Sequence, residues 1–172
     1  MKKRAIIMVL ILVGVGIFFT KYYTTLLDSK DSAIIVNQHY SFKDDFQDKQ
    51  KLVQAVDHIF IGEVIREVGN EEHKGNPNTQ FLVRITQNIK GALLGDITVN
   101  QVGGYYKEKG KLYLVSYEKS PLLKKDQMYL FFLTKTNKGY FEMMPKYGSV
   151  LLDNEDEKLK QIDSIRKILD DK

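Results

Sequence analysis

Alternating apolar and polar residues predict a series of short β-strands through the middle of the chain. Seven such segments, separated by turn residues, cover residues 59–68, 81–89, 97–102, 112–117, 127–136, 140–144 and 150–152. The segment 127–136 is apolar on both faces, so we expect it to be a central strand. Gly62 lies inside the first predicted strand and indicates a bulge or bend there. Residues 69–78 are predicted to form a loop, and residues 33–36 one edge strand.

Helical periodicity is confined to the two ends of the strand region. A short helix is predicted over residues 46–56, with Asp44 and Asp45 as candidate caps. A second helix begins after Asn154, which has Glu157 three residues on, the spacing of a capping box. Its apolar stripe consists of Leu159, Ile162, Ile165 and Leu169. The pattern predicts a mainly β fold, a small antiparallel β-barrel that is closed or partly closed, with short helices at both ends.

One apolar segment near the N-terminus differs from the rest of the chain. Residues 5–20 contain sixteen consecutive uncharged positions, and Tyr22 and Tyr23 suit a membrane interface beyond them. We therefore expect a transmembrane helix that extends to about residue 27 and contacts the lipid bilayer over residues 5–27. The basic residues 2–4 would remain in the cytoplasm, which directs the rest of the chain outward as an extracellular domain of a single-pass cell-membrane protein.

A cleaved signal peptide is the alternative interpretation of this segment. It has a basic head and an apolar run of suitable length, and Gly14 and Gly16 could provide the small residues of a cleavage site. Cleavage there would leave Ile17, Phe18 and Phe19 at the new terminus, which favours a retained anchor. In the alternative, the protein is secreted.

Composition excludes several classes of chemistry. The 172 residues include no cysteine, which excludes disulfides, thiolate zinc sites and cysteine nucleophiles. Three of the four net positive charges come from residues 2–4, and residues 21–172 carry 23 basic against 22 acidic side chains. This near-neutral region argues against nucleic acid as a partner.

No catalytic or metal-binding motif emerges from the remaining polar residues. His39, His58 and His73 lie 19 and 15 residues apart and do not form a metal-binding pair. Ser116 and Lys119 match the S-x-x-K spacing of a lysine-activated serine, but the segment is predicted to be a strand and the companion motifs are missing. We therefore predict a non-enzymatic protein without a metal or other cofactor.

A cluster of tyrosines and lysines between residues 104 and 147 provides the candidate binding residues. On an OB-like barrel, such side chains could stack on sugars or bases, or bind an anionic polymer or peptide. The structural alternative is that tyrosine favours strands and lysine protects strand edges from pairing. The candidates are Tyr105, Tyr106, Lys109, Tyr113 and Tyr117.

The order of three segments resembles that of netrin-like domains, a group that includes the tissue inhibitors of metalloproteinases. These segments are residues 52–64, in which Asp57 precedes a strand with a glycine, residues 81–91, and residues 123–133. The resemblance covers about residues 50–152 and implies an OB-type barrel and an extracytoplasmic binding role. It transfers no site residue, because those inhibitors coordinate the protease zinc through an amino-terminal cysteine that this chain lacks.

The sequence thus predicts a membrane anchor over residues 1–27, a spacer over 28–45, and a netrin-like barrel with a C-terminal helix over 46–172. Its expected function is to bind an envelope protein or polymer outside the cell. Two other hypotheses remain: a secreted or anchored hydrolase or transferase whose site is not visible in the sequence, and a structural subunit of an envelope complex.

Overall fold

The computed structural model describes residues 30–73, 76–136 and 141–171, which contain nine strands and two α-helices. The predicted mainly β class is confirmed. The strands are β1 (Ile34–Gln38), β2 (His58–His73), β3 (Asn76–Lys90), β4 (Asp96–Val102), β5 (Gly104–Glu108), β6 (Lys111–Tyr117), β7 (Met128–Lys135), β8 (Phe141–Met143) and β9 (Ser149–Leu151). The helices are α1 (Lys49–Ala55) and α2 (Glu155–Asp170), and a 3₁₀ turn (Lys30–Ser32) precedes β1.

Five strands form a closed ring in the order β2-β3-β4-β8-β7, and β7 pairs again with β2. All neighbours are antiparallel except β4 and β8, which are parallel. Strand β7 also pairs with β9, so the prediction of a central fifth strand is confirmed. The ring is filled by a buried apolar cluster from its five strands and from Leu123 in the loop before β7. The strand residues of the cluster are Phe60, Val64, Phe81, Val83, Val99, Tyr129, Phe131, Leu133 and Met143.

A second apolar cluster lies where the two helices cover β2 and β7. It combines Leu52 and Val53 of α1 and Ile162 and Ile165 of α2 with apolar strand residues. The predicted caps of α1 were wrong: Asp48 is the cap, and its carboxylate accepts a hydrogen bond of 2.9 Å from the backbone N–H of Gln50. Helix α1 begins later than predicted because Asp48 satisfies the N–H groups of its first turn.

Gly62 lies at a register shift between β2 and β3, as predicted from its position inside a strand pattern. A Cβ atom at residue 62 would lie 2.7 Å from Cγ1 of Val83 and 3.0 Å from the carbonyl oxygen of Arg84. The bulge therefore brings two strands closer than a side chain would allow.

The predicted loop over residues 69–78 was wrong. Strand β2 continues to its end at His73, and β3 begins at Asn76, with Asn70 opposite Thr79. The two strands form a long arm that contacts the backbone of β5. Asn70 Nδ2 donates to the carbonyl of Tyr105 at 2.7 Å, and Thr79 Oγ1 donates to the carbonyl of Gly103 at 2.9 Å. These bonds stabilise a paired segment without an apolar face.

A separate three-stranded sheet has the order β1-β6-β5. Its edge strand β1 runs parallel to β6 and includes the apolar residues of the predicted edge strand. β5 and β6 form an antiparallel hairpin with Lys109 and Gly110 at the turn. Part of the predicted spacer is therefore integrated into a sheet.

In the described part of the chain, neither helix has the length and apolar character needed to cross a bilayer. The predicted transmembrane helix and its bilayer contact over residues 5–27 lie outside the described residues.

Candidate functional site

Four of the five candidate binding residues lie on the β5–β6 hairpin near its turn. Tyr106 and Tyr113 are register partners, and their ring centroids lie 5.0 Å apart with an interplanar angle of 17°. This offset stack is a favourable aromatic geometry. Tyr105 points to the opposite face because successive strand residues alternate. Lys109 is exposed in the turn with a φ of 48°.

Tyr105 contacts the N-terminal end of the described chain. The Nζ of Lys30 lies 4.8 Å from the centre of its ring and 2.8 Å from Oε2 of Glu67. The lysine thus bridges an aromatic face and a carboxylate. The contact holds residue 30 against the hairpin and β2.

Tyr117 lies at the far end of β6, about 20 Å from the turn at the rise of a β-strand. Its side chain is buried, and its hydroxyl lies 2.8 Å from Oδ1 of Asn76, to which it donates. Burial raises the pKa of Tyr117, with a smaller contribution from Tyr40. The five candidates therefore do not converge on one site: they lie on two faces and at two ends of the sheet.

A cleft of about 470 Å³ lies between residues 40–46 and the ring strands. We call it the aromatic cleft. One side consists of residues from the predicted spacer and α1, and the other of residues from β4, β7, β8 and the turn after β8. The lining residues are Tyr40, Ser41, Phe42, Lys43, Phe46, Ala55, Val102, Thr134, Glu142, Met143, Met144 and Pro145.

Tilted and edge-on aromatic rings hold residues 40–46 in place. The centroid of Phe42 lies 5.0 Å from that of Tyr40, 5.2 Å from that of Tyr147 and 6.1 Å from that of Phe46. These distances fall in the favourable range for aromatic pairs. The cleft therefore has one ordered aromatic side.

Glu118 anchors the start of this segment to the end of β6. Its Oε1 accepts a hydrogen bond of 2.9 Å from the backbone N–H of Tyr40 and lies 3.2 Å from Nδ1 of His39. The Tyr40 N–H, with help from His39, lowers the pKa of Glu118 below its ordinary value. The interaction fixes Tyr40 at the edge of the aromatic cleft.

A row of polar side chains crosses the outer face of the ring beside the cleft. Asn100 of β4 is the register partner of Glu142 in β8, which is in turn the partner of Thr134 in β7. Asn100 is buried, and its Oδ1 accepts no hydrogen bond from any described residue. A buried acceptor without a donor is uncommon and indicates a place where a bound group can contribute one.

A smaller cleft of about 290 Å³ lies between residues 118–123 and the start of β9. Lys119 lines it, whereas Ser116 lies 3.3 Å, through Oγ, from Oδ1 of Asn37. Neither this cleft nor the aromatic cleft has a histidine in its lining. In the described clefts, Ser116 and Lys119 are therefore not brought together, and no histidine accompanies either of them.

The described acidic and histidine residues form no group of three that could hold a metal ion. His39 pairs with Glu118, and the ring of His58 lies edge-on to Phe141 at 5.4 Å. The side chain of His73 is outside the described part of the structure.

Residues 40–46 and 142–145 line the aromatic cleft but were not among the predicted binding residues. The available signal was the pair Phe42 and Phe46, four residues apart in an otherwise polar segment. No protein-family model and no curated protein matches the sequence of this chain.

Proposed function

We propose that this protein is a non-enzymatic binding domain, held at the outer face of the cell membrane by residues 5–27, that binds a peptide segment of a partner protein in the aromatic cleft. The observation that carries the proposal is the composition of that cleft. Eight of its twelve lining side chains are apolar or aromatic, and the other four are polar. Its volume and mixed lining are typical of ligand sites.

The chemistry of the cleft favours a peptide over a carbohydrate polymer. Sugars need many hydrogen-bonding partners, whereas Phe42, Met144 and Pro145 offer apolar contact to side chains. Methionine adapts its shape to different apolar groups, as on surfaces that bind several peptides. Lys43 and Glu142 add one charge of each sign at the cleft, which suits the mixed charges of a peptide.

The topology of the ring supports an OB-type barrel as the finer description of the fold. The five ring strands can be numbered 1 to 5 in chain order, as β2, β3, β4, β7 and β8. Their order around the ring is then 1-2-3-5-4, and strands 3 and 5 are parallel. This is the strand order of OB barrels, which bind extended ligands across the barrel surface and its loops. The segment with Asp57 and Gly62 supports the netrin-like resemblance. Both assignments are part of the proposal.

The anchored, outward location rests on the sequence of the N-terminal segment. The apolar run over residues 5–20 follows three basic residues, which favour the cytoplasmic side. Signal cleavage and secretion is the alternative, and it would leave the same domain outside the cell. The near-neutral charge of residues 21–172 supports a protein partner over nucleic acid.

Photocrosslinking in intact cells tests the binding proposal. A benzophenone amino acid in place of Phe42 should form an adduct with a protein, whereas the same group in place of Leu94, which is 89% exposed outside the cleft, should not. Thr134→Arg places a large charged side chain at the cleft and should abolish the adduct. Thr134 is exposed, so folding should be retained.

Gln127→Arg is the matched control, because Gln127 is exposed next to the opposite end of β7. It should leave the adduct at residue 42 unchanged. An adduct that persists in Thr134→Arg, or a crosslink to polysaccharide instead of protein, would contradict peptide binding in the aromatic cleft.

A further inference from the structure

The three-stranded sheet ends in an exposed turn on the side from which the N-terminal segment approaches. Ile34, the first residue of β1, is in register with Tyr113, and Tyr113 is in register with Tyr106. Because β1 is parallel to β6, residues before Ile34 approach from the side of the β5–β6 turn. Residues 107–112 extend beyond the first residue of β1 on that side.

This end of the sheet combines exposed apolar and basic residues. We call it the sheet tip and define it as Ile34, Ile35 and residues 106–113. Ile34 is 46% exposed and Ile35 73% exposed, although both are large aliphatic residues. Residues 107–111 are all exposed and contain three lysines and one glutamate, a net charge of +2.

Lys30 is the first residue that the structure describes, and it closely follows the apolar N-terminal segment in the sequence. Three residue steps separate Leu27 from Lys30, so their Cα atoms are at most about 11 Å apart. Lys30 is held against Tyr105 and Glu67 by its cation–π contact and ion pair. Tyr105 lies only four residues before Lys109 in the turn.

We propose that the sheet tip rests on the anionic lipid headgroups of the membrane that holds residues 5–27, an inference that depends on the anchoring proposed above. Exposed aliphatic residues enter the boundary between headgroups and acyl chains, and tyrosine favours the same layer. Lysines near an anionic surface add electrostatic attraction. The surface explains why apolar and basic residues are exposed together at this end of the sheet, beside two partly buried tyrosines.

The absence of cysteine from the chain allows a site-specific test with the full-length protein in vesicles. Lys109→Cys carries a fluorescent dye at the sheet tip, and Lys119→Cys carries it beyond the opposite end of β6. The pair is matched because both lysines are exposed and have positive φ, 48° and 58°. Vesicles of phosphatidylcholine, with or without phosphatidylglycerol, contain a spin-labelled lipid as the quencher.

We expect the spin-labelled lipid to quench the dye at residue 109 but not at residue 119. Quenching at residue 109 should be stronger in vesicles with phosphatidylglycerol and weaker in high salt. Lys111→Gln should lower the equilibrium constant for contact between the tip and the lipid about fivefold. Ile35→Ser should lower quenching in both kinds of vesicle, because it removes apolar contact. Dye at residue 109 that is shielded from an aqueous quencher but not quenched from the lipid would indicate a protein partner and overturn the proposal.

Alkaline carbonate extraction separates failure of this proposal from failure of the anchor. If the protein resists extraction but residues 109 and 119 are quenched equally, the sheet tip does not rest on lipid and the anchor stands. If carbonate releases the protein from the vesicles, the anchoring itself is wrong and the sheet-tip proposal falls with it.

Discussion

The carboxylate of Asp57 accepts a hydrogen bond of 2.8 Å from the backbone N–H of Lys135. The backbone N–H of Asp57 also donates to the carbonyl of Leu133 at 3.0 Å. Asp57, which lies between α1 and β2, thus forms hydrogen bonds with two backbone groups at the end of β7. This is next to the place where β2 and β7 close the ring. Its position explains structurally why an aspartate precedes the first strand of the ring.

Asp57→Ala should lower the free energy of unfolding by about 1–2 kcal/mol, the contribution of a hydrogen bond to a charged group. Urea denaturation measures it. Asp163→Ala, at an exposed position of α2, is the control and should change stability by less than about 0.5 kcal/mol. Equal effects of the two substitutions would show that the Asp57 bond does not stabilise the ring.

Gly148→Ala should destabilise the protein more than a substitution at an open turn. A Cβ atom there would overlap Cγ of Met143 and lie 2.5 Å from the carbonyl oxygen of Met144. Overpacking of this kind costs about 1–3 kcal/mol or more. Because Met143 and Met144 line the aromatic cleft, crosslinking from residue 42 should fall as well.

Gly95→Ala is the comparison for Gly148→Ala, since Gly95 has a φ of 72° but no neighbouring atom within 4 Å of an added Cβ. It should cost about 1–2 kcal/mol through backbone strain alone. A smaller loss of stability for Gly148→Ala than for Gly95→Ala would contradict the close packing around residue 148.

The attachment of Tyr40 to Glu118 should weaken in acid. The N–H of Tyr40, with His39, lowers the pKa of Glu118 below its ordinary value of 4.5. A carboxyl group whose pKa is lower in the folded state than in the unfolded state stabilises the fold at pH values above its unfolded pKa. This contribution is lost as the pH falls through the folded pKa. Wild type should therefore be more stable than Glu118→Gln at neutral pH, and the difference should shrink below pH 4.5.

Urea midpoints of the two proteins across this range measure the effect. His39→Gln keeps the Tyr40 N–H, which is the larger cause of the shift, and should retain most of the pH dependence. A stability difference that is the same at neutral and strongly acidic pH would exclude Glu118 as the titrating group.

The anchor hypothesis makes a direct prediction about the mature protein. Mass spectrometry of the membrane fraction should show a mature chain that retains residues 5–27. Protease treatment of intact cells should degrade residues 30–172 while a cytoplasmic control survives. A mature chain beginning near Ile17 would instead establish signal cleavage. Protection of the domain in intact cells would contradict the outward topology.

Elements with a local chemical cause were predicted well from the sequence. The cap of α2 is Asn154, whose Oδ1 accepts a hydrogen bond of 2.7 Å from the N–H of Glu157. The continuous apolar run of β7 is buried on both faces, inside the ring and under the helices. In both cases neighbouring residues determine the structure, so a single sequence contains the necessary signal.

Elements stabilised by distant backbone contacts were not predictable in this way. The arm of β2 and β3 around Asn70 and Thr79 is polar, and its strands are held by pairing and by hydrogen bonds to β5. No alternation of apolar residues marks such an arm. The cap of α1 was not predicted either: it is Asp48 and not Asp44 or Asp45.

The aromatic cleft was missed because its two sides come from segments about one hundred residues apart. Phe42 lies in the predicted spacer, and Met144 follows β8. Among the candidate tyrosines, only Tyr113 and Tyr117 were predicted to lie on a strand. Strand β5 was not predicted, and it places Tyr105 and Tyr106 on opposite faces. The tyrosines and lysines that lie close together in the sequence are therefore located mainly on one hairpin and do not form a single binding surface.

The parallel pairing of β1 with β6 also determines how the domain resists force. A pull on Lys30 along the strand axis slides β1 lengthwise against β6, so all hydrogen bonds between Ile34 and Gln38 and their partners carry the load together. A hairpin pulled from its open end would instead lose its bonds one at a time. Strand β1 thus connects the N-terminal segment to the rest of the protein through hydrogen bonds that are loaded in shear.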